Sequence, residues 1–219
     1  MRYNTGKGNT AMTAVLDTPV EALPDALPLQ TITTSRVARF TVERYHQLIG
    51  SGYFTEADRF ELLEGYLVTK MSKNAPHTSS MRKLIELLAA MLPPEWQYLS
   101  QDPITLASSE PEPDIAVMRR AANAYADRHP GPADIGLVIE VSDSSLDTDQ
   151  LDKLRIYARN AITVYWIVNL IDQQIEVYER PAGTDYLSRQ AFRAGESVSV
   201  VLDGQTIGQI SVSAVLPGA

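Results

Sequence analysis

The stretch "IGLVIEVS", residues 135–142, decides how the chain is read. Its branched apolar residues suit a central strand covered on both faces. Alternate residues of a strand share a face, so Glu140 and Ser142 point one way while Ile139 and Val141 point the other. A glutamate in such a strand is seldom buried without a partner. The question is what it meets.

A second stretch, "EPEPDIAV", residues 110–117, brings three carboxylates and two prolines against what reads as another buried strand. In "PDIAVM" Asp114 and Ala116 share a face, so two strands of one sheet can present Asp114 and Glu140 to one spot. A buried carboxylate loses its hydration and drifts toward protonation, and two of them together raise one pKa further. A cation is therefore expected between them. A hard divalent ion such as Mg²⁺ prefers a carboxylate pair completed by waters and phosphate oxygens.

Working outward, "FTVERYHQLIGSG" reads as a short helix capped by Thr41 and ended at Gly50 to Gly52. "RFELLEGYLVTKMS" reads as two short strands about a turn at Glu64 and Gly65. From Pro76 to Leu92, the residues Met81, Leu84, Ile85, Leu88 and Met91 recur at helical spacing, and Pro93 and Pro94 stop the pattern. Strands are expected at "WQYLSQ", "ITL" and "PDIAVM". "DTDQLDKLRIYARN" is expected as a helix capped by Asp147 or Thr148, with Leu151, Leu154 and Ala158 on one side. "TVYWIVN" and "QIEVYER" follow as strands about a turn at Leu170 to Gln173, and weaker strands continue to the end. This order points to an α/β (α+β) fold, a mixed sheet flanked by helices with additional C-terminal antiparallel strands. Residues 1–35 read as a mobile arm, and residues 36–219 as a single domain.

Composition bounds the function. The chain has 219 residues, 44% of them apolar and 21% charged, the balance of a soluble globular protein. No apolar run approaches the length that spans a bilayer, so a cytoplasmic location is expected and no membrane partner. With no cysteine, thiolate metal sites and cysteine nucleophiles are excluded. A formal charge of −8 argues against gripping nucleic acid by bulk electrostatics, so any such contact would have to be local or metal-assisted. No glycine-rich phosphate loop, nucleophile-elbow serine or His-Glu-x-x-His zinc helix is present.

Taken in order, "FELLEGYLV", "MSKNAPH", "EPEPDIAV", "LVIEVSDSS", "DTDQLDKLRIYAR" and "VYWIVN" resemble the Uma-two-type family of restriction endonuclease-like proteins, from about Phe40 to Glu179. Asp114 after Pro113 and the strand carrying Glu140 also resemble the Pro-Asp and Glu-x-Lys elements of the PD-(D/E)XK nuclease superfamily. That resemblance implies a restriction-endonuclease-like domain. It further implies hydrolysis of DNA phosphodiesters by a water activated on Mg²⁺, with Mn²⁺ as a substitute. Asp114, Glu140 and the backbone carbonyl of Val141 would hold the ion. The superfamily's lysine position, two after the glutamate, is Ser142 here; in the resembled family the lysine comes from the following helix, which matches Lys153. Lys153 would orient the water and offset charge on the phosphate. Glu61 matches an upstream acidic position, and His77 a histidine frequent in the family. Further departures are Asn169 and Val164, where the family commonly has an aspartate and a glutamate.

Plainer readings stand beside these. A Pro-Asp pair is ordinary turn chemistry. Lys153 lies four residues after Asp149, a pair that supports a helix by roughly 0.2–0.5 kcal/mol without any function. His46 and His129 have no histidine or carboxylate at metal-ligand spacing and read as surface groups. "MRRAANAYADRHP" reads as solvated surface or as a local phosphate-contacting rim. Two rival functions remain: a catalytically inactive binding module on the same fold, and a phosphodiesterase acting on RNA or nucleotides. A homodimer is expected if the apolar strands "TVYWIVN" and "QIEVYER" leave an edge uncovered.

Overall fold

A computed structural model describes residues 37–218, so the arm expected over residues 1–35 lies outside the described residues. Thr41 opens the first helix, α1 (Val42–Gly50), its hydroxyl accepting a hydrogen bond from the Arg44 N–H, and Gly52 follows in the left-handed region. The hairpin β1 (Phe60–Leu63) and β2 (Tyr66–Thr69) comes next. Its two turn residues, Glu64 and Gly65, both have positive φ, the conformation a two-residue hairpin turn needs. A side chain at Gly65 would sit 2.6 Å from Arg39 Cβ, so only glycine fits.

A long helix, α2 (Ala75–Met91), is capped by Asn74, which accepts from the His77 N–H. Then follow β3 (Trp96–Leu99), β4 (Ile115–Arg119), β5 (Ile135–Ser142), α3 (Leu154–Arg159), β6 (Val164–Asn169), β7 (Gln174–Ala182) and β8 (Asp185–Arg193). The last elements are β9 (Ser197–Leu202), β10 (Gln205–Ser211) and α4 (Val212–Val215).

Six strands form one sheet in the order β3-β4-β5-β6-β7-β8. The β5–β6 pair is parallel and every other pair antiparallel. β5 is buried along its whole length, as its apolar run requires. On one face Leu137, Ile139, Val141 and Trp166 pack against Leu84 and Leu88 of α2 and against the separate β9–β10 hairpin. On the other face Ala116, Val138, Tyr165 and Ile167 pack against Leu154, Ile156 and Tyr157. The strands stack so closely here that a Cβ on Gly136 would come within 2.7 Å of the Trp96 ring.

Three expectations change. Ile104 to Leu106 is not a strand, because Pro103, Pro111 and Pro113 lack the donors a ladder needs. The segment is tied instead by single bonds from the Ile104 N–H to the Pro111 carbonyl and from the Leu106 N–H to the Ser109 carbonyl. Asp147 and Thr148 do not cap the third helix; the backbone is already helical at Leu146 and runs through a π-helical turn, Thr148–Lys153, before α3. This wider turn shifts the phase, so Leu151 is 67% exposed rather than buried with Leu154 and Ala158. Finally, β6 and β7 are each paired on both sides, so neither is the uncovered edge that suggested a dimer. The free edge beyond them is β8, which carries Asp185, Arg189 and Arg193.

Candidate active site

The ends of β4 and β5 bring two carboxylates together. Asp114, just ahead of β4, donates its backbone N–H to Glu140 Oε2 at 3.3 Å, and its own Oδ2 accepts from the Val141 N–H at 2.9 Å. Because the N–H and C=O of a strand residue face the same side, the Val141 carbonyl is turned toward Asp114 as well. Both side chains lie on the sheet face that packs on α3, as strand alternation requires.

The π-helical turn delivers the cation. Lys153 is turned inward, and its Nζ lies 3.0 Å from Glu140 Oε1, 3.7 Å from Asp149 Oδ1 and 3.8 Å from Glu61 Oε1. Tyr157, one turn further on, donates its hydroxyl to the same Glu140 oxygen at 2.7 Å. Ser142, at the position where the superfamily has lysine, donates to Asp149 Oδ2 at 2.7 Å, and Ser145 does the same at 2.7 Å.

Two groups at the start of α2 complete the Asp114 side. His77 Nε2 is 3.0 Å from Asp114 Oδ2, and Lys73 Nζ is 3.0 Å from Oδ1. Glu61 on β1 accepts from the Glu112 N–H at 3.2 Å, and Glu112 pairs with Lys70. Glu61, Lys70, Lys73, His77, Asp114, Glu140, Asp149 and Lys153 all line one cleft of about 1130 Å³.

The charge balance of the cleft is negative. Glu61, Asp114, Glu140 and Asp149 are all buried, and the buried ammonium among them is Lys153. Burial and the neighbouring carboxylates of Asp149, Asp114 and Glu61 push the Glu140 carboxyl up to about 8 even against the attraction of Lys153. Lys153 moves up as well, because three carboxylates outweigh the burial that opposes its charge. Asp114 goes the other way: burial opposes its ionisation, but His77, Lys73 and the Val141 N–H hold it at about 2. One carboxyl is thus firmly ionised beside another that is crowded. Asp149 Oδ1 has no hydrogen-bond partner within the described residues. These features fit a divalent cation held among oxygen ligands.

The model of the Uma2 family, whose description is "Putative restriction endonuclease", matches residues 42–212. The chain belongs to the Uma2 family. No match is found among curated proteins. A crystal structure of a "putative nuclease belonging to DUF820" from Anabaena variabilis is similar, with a TM-score of 0.64 at 14% identity over 80% of this chain and 97% of that one. At that identity the likeness is one of fold.

In this Uma2 chain the side chains of the site candidates Glu61, His77, Asp114, Glu140, Asp149 and Lys153 reach the same cleft. Asn169 does not; it bonds Glu176 and Asp172 in a separate network. Sequence reasoning missed Lys73 and Tyr157. Lys73 was legible in principle, as a cation four residues before His77 at the mouth of α2. Tyr157 was legible too, four residues after Lys153 and so on the same helix face, next to the glutamate that Lys153 meets. His46 and His129 are exposed, in keeping with their reading as surface groups, yet both rings converge on Glu110, from segments too far apart in sequence for any spacing rule to register.

Proposed function

We propose that this chain is a Mg²⁺-dependent endonuclease of the PD-(D/E)XK type that hydrolyses DNA phosphodiesters in the cytoplasm. The observation that carries the reading is the convergence of Asp114, Glu140 and Lys153 in one cleft, with Lys153 Nζ 3.0 Å from Glu140. The family description and the shared fold support a nuclease. Asp114, Glu140 and the Val141 carbonyl would hold Mg²⁺, and Mn²⁺ has the ligand preferences to replace it. The bound ion supplies Lewis-acid polarisation of the phosphate and a water of lowered pKa.

The chain's own residues do the rest. Lys153, fixed by three carboxylates, orients the attacking water and offsets charge growing on the phosphate oxygens. Tyr157 and Lys153 together hold Glu140 Oε1, which leaves Oε2 directed at the Asp114 side. His77 and Lys73 keep Asp114 ionised. Glu61 and Asp149 set the position of Lys153 from behind.

The test is cleavage of plasmid DNA in Mg²⁺ by the purified chain and by Glu140→Gln. Cutting by the parent and a loss in the variant are expected; equal cutting by both would refute the site.

One observation favours a second reading, a non-catalytic module on the same fold. The cleft lysines Lys70, Lys73 and Lys153 are all paired with carboxylates, in a chain of net charge −8. Calorimetric titration with Mg²⁺ or Mn²⁺ separates the two, since the module predicts no binding or binding indifferent to Asp114→Asn. A phosphodiesterase acting on RNA or nucleotides shares the site and is separated by offering those substrates in the same assay.

A further inference from the structure

We propose that His46, Glu110 and His129 form a second metal site, one that takes Zn²⁺ or a related first-row divalent ion rather than Mg²⁺. The three residues come from α1, from the proline-rich segment ahead of β4, and from the loop between β4 and β5. Their ligand atoms lie within 4.8 Å of one another. Nothing in the Asp114–Glu140 cluster uses them, so the inference stands independently of the nuclease reading.

Glu110 is the fixed member. Its side chain is 3% exposed. Its N–H and carbonyl pair with Leu62 of β1 at 2.7 Å and 3.4 Å, and the Thr105 hydroxyl donates to Oε2 at 2.9 Å. A buried carboxylate requires compensation. Among the described residues no lysine or arginine pairs with it; its ionic partners are the two imidazoles.

The contacts are those of a coordination sphere drawn slightly too tight. His46 Nε2 lies 2.7 Å and 2.6 Å from the two Glu110 oxygens, and His129 Nε2 lies 3.8 Å from Oε1. One ring nitrogen carries at most one hydrogen, so it cannot satisfy both oxygens of the carboxylate. With metal–ligand bonds of about 2.0–2.2 Å, tetrahedral ligand atoms sit roughly 3.3 Å apart. His46 has to retreat by less than an ångström and His129 has to approach by a similar amount. Both side chains are about half exposed, at 44% and 45%, so neither shift disturbs the core.

The donor set decides the ion. Two imidazoles with one carboxylate suit Zn²⁺ and its first-row neighbours, whereas Mg²⁺ prefers oxygen ligands alone. The solvent side leaves a position for water. An ion here would tie α1 and the β4–β5 loop to the segment that runs from Glu110 to Asp114, and so would stiffen one wall of the cleft.

The experiment loads the full, chelator-stripped chain with Zn²⁺ or Co²⁺ in a Glu140→Gln background, with and without His46→Gln and His129→Gln. Expected are one tightly held Zn²⁺ by elemental analysis, a rise in Tm of several degrees, and visible absorption from Co²⁺ in tetrahedral nitrogen and oxygen ligation. Both histidine substitutions together should abolish all three, and His129→Gln alone should weaken Zn²⁺ binding at least tenfold. Circular dichroism verifies that the variants are folded; for folded variants, Zn²⁺ uptake and a Co²⁺ spectrum unchanged by the histidine substitutions would overturn the proposal. Failure of the Glu140→Gln chain to hold Zn²⁺ would overturn it equally.

Discussion

Lys153 Nζ stands 3.0 Å from Glu140 Oε1 although strand and helix are joined by an irregular turn and thirteen residues separate the two. The ammonium is surrounded by Glu140, Asp149 and Glu61, all within 4 Å. Lys153→Met is therefore expected to act in two ways. DNA cleavage should fall on the order of 10²-fold, the loss typical of removing a preorganised charge from a transition state. The metal-free protein should also melt earlier, because the carboxylates lose their shared counter-ion, and Mg²⁺ should restore more of the Tm in the variant than in the parent. Lys153→Arg should not rescue cleavage, since a planar five-donor group cannot take the place of a point ammonium in a buried site. Melting curves with and without Mg²⁺, beside cleavage rates, check all three outcomes.

The two central carboxyls give opposite pH dependences. Asp114 sits near 2 in the folded chain against an ordinary 3.8, so its contribution to stability is complete above pH 3.8 and is lost as pH falls toward 2. A shift of nearly two units in a side chain this buried corresponds to about 2 kcal/mol. Glu140 is raised, from 4.5 to about 8, so in the metal-free protein stability should decline as pH rises from 4.5 to 8. Binding of Mg²⁺ requires the ionised form, and the stabilisation it gives should therefore grow over that window, with protons released on binding. Calorimetry in two buffers of different ionisation enthalpy measures the release. A binding enthalpy that ignores the buffer at pH 6 to 7 would contradict the crowding of Glu140.

In the proposed nuclease Tyr157 acts as a positioning residue for Glu140 rather than as a group that meets substrate. Its hydroxyl donates at 2.7 Å to the oxygen that Lys153 also holds, and burial keeps its own pKa well above the ordinary value, so it remains a donor throughout the working range. Tyr157→Phe should reduce metal affinity or cleavage by roughly 10- to 100-fold, as loss of a partner behind a metal ligand does. Stability should fall by about 1 kcal/mol, because Lys153 still satisfies the same oxygen. A plain structural role would lower the Tm and leave the Mg²⁺ dissociation constant unchanged; titration of the variant distinguishes the two.

What the sequence discloses follows the strength of local physics. β5 is legible because an eight-residue segment dominated by branched apolar residues has one comfortable place, the middle of a sheet, and the alternation along it fixes the face of Glu140. The β1–β2 turn is legible because Glu64-Gly65 supplies two positions of positive φ. The Asp114–Glu140–Lys153 cluster follows from those strands together with a family resemblance that moves the lysine from position 142 to position 153. What is not legible comes from long range or from a change of period. His46, Glu110 and His129 meet only because three segments fold together, the first two 64 positions apart in the sequence. The π-helical turn is invisible to a reading that assumes 3.6 residues per turn, and with it go the capping expected at Asp147 or Thr148 and the burial expected for Leu151.

That last point can be measured at one position. An unbroken α-helix places Leu151 on the stripe with Leu154 and Ala158, where replacing a buried leucine costs about 2–5 kcal/mol. In the structure the π-helical turn leaves Leu151 67% exposed while it turns Lys153 into the cleft. Leu151→Gln is therefore expected to change stability by no more than about 0.5 kcal/mol, the range of ordinary surface substitutions. Leu154→Ala, on the buried side, should cost several times more. Chemical denaturation of the two variants side by side gives the comparison, and a large loss for Leu151→Gln would mean a regular helix here.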